Sequence, residues 1–319
     1  MVIRKTDFVT QSPKPQGEPQ TGTLNAEPGT VNGERGMRKS KGGDMDLFQV
    51  NTETCNRDGI CAACCPARII ALSSEGHPQP VEGADELCIR CGQCVAVCPT
   101  ASLTHRDMPV EECPSLDRNM LPTPQQCEHF FRARRSIRTY KDKTPDPDRI
   151  QRLIEMARYA PTGHNSQCVE WAVLGDRGEL QDLAGHVADW MRWMIDNMPR
   201  MASAVHMDKT IARWEEGEDV IFRGAPMLIL AHANKDLPPA PAACTIATAY
   251  LELAAPTMGL GGCWAGYFMA AAGNYQPLQE ALPLPQGNNC FAAMMIGHPR
   301  YSYHRLPLRK PPSITWRMA

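Results

Sequence analysis

A run of four closely spaced cysteines carries the clearest chemistry in the sequence. Cys88, Cys91, Cys94 and Cys98 are separated by two, two and three residues, and Pro99 follows the last of them. Thiolates at this spacing are typical ligands of iron–sulfur clusters, because three cysteines on one tight loop can reach three corners of a cluster. The fourth cysteine, beside the proline, then reaches a second cluster. A structural zinc site is the alternative, although zinc more often takes its ligands from two separated pairs.

A second copy of this run lies upstream and carries one substitution. It consists of Cys55, Asp58, Cys61 and Cys65, again followed by proline, so that aspartate stands where the second cysteine is expected. The two copies together resemble the cysteine pattern of bacterial two-cluster ferredoxins. The sequence therefore predicts a ferredoxin-like domain over residues 45–108.

The crossover of the fourth cysteine assigns the ligands of each cluster. One cluster would be held by Cys88, Cys91, Cys94 and Cys65, and the other by Cys55, Cys61, Cys98 and Asp58. A carboxylate is a harder and more weakly held iron ligand than a thiolate, so the Asp58 corner is expected to lose iron and leave a 3Fe-4S cluster in place of 4Fe-4S. Two alternatives remain open, namely Cys64 as the fourth donor and Asp58 as a solvated loop residue.

A cationic segment opens the second half of the chain. Arg134, Ser136 and Arg138 alternate with other residues just after a helical run. Guanidinium groups and a hydroxyl suit the binding of a phosphate monoester, while a solvated charged face is the alternative interpretation. Glycine-rich dinucleotide motifs, Walker motifs and Ser/His/Asp arrangements are absent from the sequence, so its function must depend on other residues.

Three further blocks follow the cationic segment in order. They are residues 160–167 before a strand that contains Trp171, residues 259–264 after a long helix, and residues 297–299 leading to Arg305 and Arg309. Together with the Arg-Arg-Ser-Ile-Arg opening, they resemble the nitroreductase family over residues 125–319. The resemblance implies an FMN-dependent oxidoreductase with an α+β sandwich fold. It also implies a homodimer with FMN at the subunit interface.

The resemblance further implies a role for individual residues. The FMN phosphate and ribityl would be held by Arg134, Ser136 and Arg138. Arg309 would close on the phosphate from the C-terminal end, with Arg305 as a helper. The residues along the ribityl chain and the isoalloxazine ring would be Pro161, Thr162, Asn165 and Gln167. Gly261 and Gly262 would let the backbone approach the flavin, because glycine has no Cβ; the alternative is that residues 259–262 simply end the preceding helix. The resemblance implies no catalytic acid or base, since the flavin supplies the chemistry.

Hydrophobic periodicity indicates the elements that position these blocks. Helical spacing from Ile150 to Ala157 ends at the proline and glycine of residues 160–163. Strands are predicted at residues 169–174, 227–231 and 290–296, and helices at residues 180–198 and 243–258. This is the pattern of an α+β or α/β fold with helices covering a modest sheet. Residues 1–44 have the composition of a disordered leader, and prolines mark residues 109–124 as a linker.

Bulk composition narrows the classes of partner. The 319 residues carry a formal net charge of −2 and have no basic field, which argues against nucleic acid or an anionic membrane as partner. The sequence has neither a long apolar stretch nor a secretory signal, so we expect a cytoplasmic protein.

The fusion of the two modules predicts a direction of electron flow. Single electrons would pass through the clusters to FMN, which would deliver pairs of electrons to a small acceptor with a nitro, quinone or activated alkene group. NAD(P)H and a redox protein such as reduced ferredoxin both remain open as donors. Two alternatives remain open. The first is a protein without enzymatic activity that carries electrons or senses redox or iron status. The second is an enzyme with a different reaction, namely dehalogenation, flavin fragmentation or ring dehydrogenation.

Overall fold

The computed structural model describes residues 46–318, and the leader predicted for residues 1–44 lies outside them. From Asp46 onward the chain forms one compact unit. The boundaries between the predicted ferredoxin domain (45–108), linker (109–124) and flavin domain (125–319) therefore remain predictions. Every helix within residues 46–318 is too short or too polar to span a lipid bilayer.

Short elements alternate over the first sixty described residues, and longer ones follow. The helices are α1 (Ile60–Ala63), α2 (Ala84–Leu87), α3 (Gln93–Val97), α4 (Pro124–Ala133), α5 (Pro147–Ala157), α6 (Arg177–Asn197), α7 (Pro199–Ala204), α8 (Met207–Glu215), α9 (Ala240–Ala254), α10 (Gly266–Asn274) and α11 (Gln276–Ala281). The strands are β1 (Phe48–Val50), β2 (Ile70–Leu72), β3 (Pro78–Pro80), β4 (Leu103–His105), β5 (Glu170–Leu174), β6 (Met227–Asn234), β7 (Gly261–Trp264) and β8 (Asn288–Gly297).

The N-terminal module repeats its backbone conformation as well as its sequence. Strand β1 pairs antiparallel with β4, and β2 pairs antiparallel with β3. Residues at equivalent positions of the two cysteine runs share a positive φ, in the pairs Arg57 and Arg90, Gly59 and Gly92, and Arg68 and Ala101. The two glycines begin α1 and α3, where a left-handed residue without a Cβ is least strained. The aspartate in the first run has therefore left the geometry of its loop unchanged.

An antiparallel sheet with strand order β5-β6-β8-β7 forms the centre of the second module. Because side chains alternate along a strand, β6 and β8 supply two separate cores. Leu228, Leu230 and Met295 pack on one face with α6 and α10, while Ile229 and Met294 pack on the other face with α5 and α9. Helices cover both faces of the sheet, and the architecture is the predicted α+β sandwich.

The long elements lie where hydrophobic periodicity predicts them. Helices α5, α6 and α9 and strands β5, β6 and β8 all overlap their predicted ranges. Strand β7 and helices α8 and α10 have no counterpart in the sequence analysis. Gly259, with φ of 69°, ends a 3₁₀ turn after α9, so the helix-end alternative applies to this residue, whereas Gly261 and Gly262 lie in β7.

Candidate redox site

The four predicted ligands of the all-cysteine cluster line one cavity of the N-terminal module. Cys65 reaches it from the first run, and Cys88, Cys91 and Cys94 reach it from the second. The remaining wall is largely apolar and includes Phe48 and Ile70 among other core side chains. Burial raises the pKa of Cys94 to about 11, so this thiol keeps its proton unless a metal replaces it.

The four predicted ligands of the other cluster line a second cavity. Cys55, Asp58 and Cys61 from the first run meet Cys98 from the second run there. The Asp58 carboxylate accepts a hydrogen bond from the Ile60 backbone N–H through Oδ1, at 3.1 Å. The alternative donor Cys64 lines neither cavity, and its thiol donates to the Cys61 carbonyl oxygen at 3.5 Å instead.

The chemistry of the two donor sets fits iron–sulfur clusters. Thiolates are the usual ligands of such clusters, and one cavity is lined by four cysteines and the other by three cysteines and a carboxylate, in the order expected for two clusters.

Two hydrogen bonds are directed at the sulfur of Cys88. The Arg90 backbone N–H donates to Sγ at 3.4 Å, and Nε2 of buried His105 lies 3.6 Å from it. Since His105 Nδ1 accepts from the Asp107 N–H, its Nε2 carries the proton and donates to sulfur. Burial lowers the pKa of His105, which favours the neutral form of the ring over the imidazolium. Hydrogen bonds of this kind tune the potential of an iron–sulfur cluster.

Three of the four sequence blocks meet at the β7 edge of the sheet. The Ile137 N–H donates to the Gly262 carbonyl oxygen at 2.9 Å, and Tyr140 forms a β-bridge with Pro299. Ile137 is buried, while Arg138 is exposed and Ser136 is half-buried. Cationic and hydroxyl groups thus line an accessible extended segment, and this donor set fits a phosphate monoester.

The two glycines of β7 are explained by protein packing. A Cβ on Gly261 would clash with Cγ1 of Ile137 and lie 3.0 Å from Cγ of Pro299, and a Cβ on Gly262 would lie 2.6 Å from Sδ of Met294. These contacts give a reason for glycine at both positions that does not involve a flavin. The predicted approach of the flavin to this backbone remains a prediction.

Residues 160–167 form a tight loop between α5 and β5. The Gln167 N–H donates to Thr162 Oγ1 at 3.0 Å, and both residues line a small cavity with Trp171. Pro161 is exposed at the start of this loop. Asn165 extends towards the N-terminal module, where its Nδ2 donates to the Ile89 carbonyl at 3.2 Å and the Arg90 carbonyl at 2.8 Å. The flavin-domain loop is therefore tied to the loop between Cys88 and Cys91.

Comparison with known proteins assigns both modules. The model of the nitroreductase family matches residues 131–298, more than half of the sequence. The chain belongs to the nitroreductase family. A second model, the 4Fe-4S dicluster domain, matches residues 48–100. The resemblance to a nitroreductase domain fused to a two-cluster ferredoxin module is confirmed, and the protein is an oxidoreductase of this family.

The individual relatives share less than a quarter of their aligned residues with this chain. A protein of Archaeoglobus fulgidus named an NADH dehydrogenase/NAD(P)H nitroreductase is 24% identical over 176 residues, which cover 55% of this chain and 87% of the relative. The structure of a nitroreductase with bound FMN from Bacteroides fragilis matches at 19% identity and a TM-score of 0.50, covering 60% of this chain and 98% of that one. A nitroreductase with bound FMN from Desulfitobacterium hafniense matches at 23% identity and a TM-score of 0.48, covering 60% and 97%.

A buried carboxylate in the nitroreductase domain escaped the sequence analysis. Glu252 on α9 is 7% exposed and accepts from Arg134 Nη1 at 2.7 Å and from Trp264 Nε1 at 3.0 Å. Arg134 also donates to Ser136 Oγ at 3.4 Å. Its guanidinium is therefore oriented by the protein, with donors to spare for an anion. The position of Glu252 within the helical pattern of α9 gave no signal of this pairing.

The C-terminal residues of the nitroreductase domain follow an exposed path. Arg305 and Arg309 are both exposed, and Arg305 donates to the adjacent His304 carbonyl. The start of this segment is held where the Arg135 guanidinium lies 5.6 Å from the centre of the Tyr303 ring. None of the described contacts brings Arg305 or Arg309 to Arg134, so their role at the phosphate stays a prediction.

Proposed function

We propose that this protein is an FMN-dependent oxidoreductase that passes single electrons through two iron–sulfur clusters to FMN and reduces a small organic acceptor by two electrons. The observation that carries the proposal is the pair of cavities, each lined by four predicted ligands, in one compact unit with a nitroreductase fold. FMN would supply the conversion between one-electron and two-electron transfer. Nitro, quinone and activated alkene groups are the acceptor classes that we propose.

Particular residues would hold the groups in place. Cys65, Cys88, Cys91 and Cys94 would hold a 4Fe-4S cluster, while Cys55, Cys61, Cys98 and Asp58 would hold the second cluster, with a 3Fe-4S form favoured by the carboxylate. Arg134, Ser136, Arg138, Arg305 and Arg309 would bind the FMN phosphate and ribityl, and Pro161, Thr162, Asn165, Gln167, Gly261 and Gly262 would lie along the flavin.

The proposal also covers the electron donor and the oligomeric state. The name of the Archaeoglobus relative supports NAD(P)H as donor, and the ferredoxin module supports a redox protein. Exposed apolar side chains such as Trp193, Leu308 and Trp316 support a homodimer, because such surface usually marks an interface. Light scattering coupled to gel filtration would test the assembly: a monomeric mass would contradict it.

The deciding experiment is anaerobic purification with iron, sulfide and FMN quantified on one sample, followed by turnover assays. We expect FMN together with seven to eight irons per chain, roughly the two-cluster value. Iron without FMN would refute the flavoenzyme. Full cofactor content without turnover of any acceptor class, with either donor, would favour an electron carrier or sensor instead.

A further inference from the structure

One side chain of the nitroreductase domain touches the cluster loop. Asn165 Nδ2 donates to the carbonyl oxygens of Ile89 and Arg90, at 3.2 and 2.8 Å. Carbonyl oxygens only accept, so the amide nitrogen must face them and the orientation of the side chain is fixed by chemistry. Both carbonyls lie between Cys88 and Cys91, two predicted cluster ligands that line the all-cysteine cavity.

The same peptide group continues this hydrogen bond to a ligand sulfur. The Ile89 carbonyl that accepts from Asn165 belongs to the peptide whose N–H, on Arg90, donates to Cys88 Sγ at 3.4 Å. A peptide that accepts a hydrogen bond at its oxygen becomes a stronger donor at its nitrogen. A stronger N–H···S bond stabilises the more negative, reduced cluster and raises its reduction potential.

The backbone around Asn165 shows that its position is specifically built. His164, Asn165 and Gln167 have φ of 52°, 52° and 46°, which lie in the left-handed region that residues other than glycine rarely adopt. Strained residues of this kind persist only where the surrounding structure determines them, and they cluster at functional sites. Of these three residue types, asparagine tolerates the left-handed conformation best, so it occupies this position with the least backbone strain.

We propose that Asn165 is a positioning residue that strengthens the hydrogen bond to Cys88 and thereby raises the reduction potential of the cluster held by Cys65, Cys88, Cys91 and Cys94. The contact also makes this cluster, rather than the Asp58 cluster, the one adjacent to the flavin-domain loop. This inference rests on the proposed function for the presence of both clusters.

The test replaces the donor and leaves the loop conformation intact. Asn165→Gly removes the donor without adding a charge, at a position where glycine is unstrained. Asn165→Asp keeps the size of the side chain and its tolerance of positive φ, but its negative charge by itself lowers the potential, so Asn165→Gly is the deciding variant. His164→Asn is the matched control, because His164 has the same φ and is exposed. The readout is an anaerobic redox titration followed by electron paramagnetic resonance on the full-length protein.

In both Asn165 variants, the ratio of reduced to oxidised all-cysteine cluster at a fixed potential should fall by about threefold to tenfold, where tenfold corresponds to 59 mV for one electron. The His164 control and the Asp58 cluster should titrate as in the wild type. Asp58→Cys, which alters only the second cluster, assigns the signals.

An unchanged titration in either Asn165 variant, or an equal shift in His164→Asn, would overturn the inference. If Asn165→Asp does not fold, Asn165→Gly decides alone. Iron, sulfide and FMN are quantified on the same samples. Missing clusters in the wild type would refute the proposed function, whereas full content with an unchanged potential refutes only the role of Asn165.

Discussion

At the scale of single residues, the most informative departure from the ferredoxin pattern is Asp58. Its counterpart in the second run is Cys91, and the two loops share their left-handed residues at Gly59 and Gly92. The backbone can therefore accept a thiolate at this position without rearrangement. Among the eight predicted ligands of the two cavities, Asp58 is the one that is not a thiolate.

We predict that Asp58→Cys converts a labile cluster into a stable one. The variant should retain its full complement of four irons at this site after aerobic handling, because a thiolate binds iron more firmly than a carboxylate. Electron paramagnetic resonance should show the 3Fe-4S signal in the wild type and its loss in the variant. Cys64→Ser is the control and should leave the spectrum unchanged, since Cys64 lines neither cavity. A wild-type protein with only 4Fe-4S signals would contradict the labile corner.

A second residue-scale prediction concerns Glu252. Arg134 and Trp264 donate to different oxygens of Glu252, and glutamine replaces one of these oxygens with an NH₂ group, so the donor that faces it loses its partner. We expect Glu252→Gln to lower the free energy of unfolding by about 1–3 kcal/mol, measured by urea titration with circular dichroism.

The matched control is Glu280→Gln, an exposed residue whose only described side-chain partner is Gln276. It should change the free energy of unfolding by less than about 0.5 kcal/mol. Equal urea midpoints for Glu252→Gln and wild type would mean that the carboxylate contributes nothing to stability, and that Arg134 is oriented by other contacts.

At the scale of elements, β7 shows how the sequence blocks are held together. Because a Cβ on Gly261 would clash with Ile137, we expect Gly261→Ala to cost about 1–3 kcal/mol of unfolding free energy. The double variant with Ile137→Ala should recover part of the loss attributable to the clash, as a double-mutant cycle would show.

Gly273→Ala is the control for the substitution in β7, and its expected effect on stability has the opposite sign. Gly273 is exposed within α10, and a Cβ there meets no atom within 4 Å. Alanine should therefore stabilise the helix by roughly 0.5–1 kcal/mol. If Gly261→Ala were equally well tolerated, the close packing of β7 against the cationic segment would not be the reason for glycine.

The sequence could predict the features that depend on neighbouring residues. The cysteine spacing determined which side chains could share a cavity, and hydrophobic runs located α5, α6, α9, β5, β6 and β8. Strand β7 was missed because it is short and begins with two glycines, which weaken any strand signal. The pairings of Glu252 with Arg134 and of Asn165 with Ile89 join distant parts of the chain, and a single sequence has no periodicity that reports them.

At the scale of the whole molecule, the central question is whether electrons must pass through the all-cysteine cluster. This cavity adjoins the loop that carries Asn165, while the Asp58 cavity is lined by other residues of the N-terminal module. A path from a protein donor to the flavin would therefore end at the cluster of Cys65, Cys88, Cys91 and Cys94. NAD(P)H, in contrast, could transfer hydride to the flavin directly and bypass both clusters.

These two routes predict different effects of Cys91→Ser. Loss of the thiolate that corresponds to Asp58 should convert this cluster to a 3Fe-4S form of different potential and slow flavin reduction by reduced ferredoxin on the order of tenfold or more. Flavin content and NAD(P)H-driven reduction should be unchanged if hydride reaches the flavin directly. Cys113→Ser, at an exposed cysteine outside both cavities, is the control and should behave as wild type in both assays. Stopped-flow absorbance of the flavin measures both rates, and an undiminished rate with ferredoxin in Cys91→Ser would remove this cluster from the path.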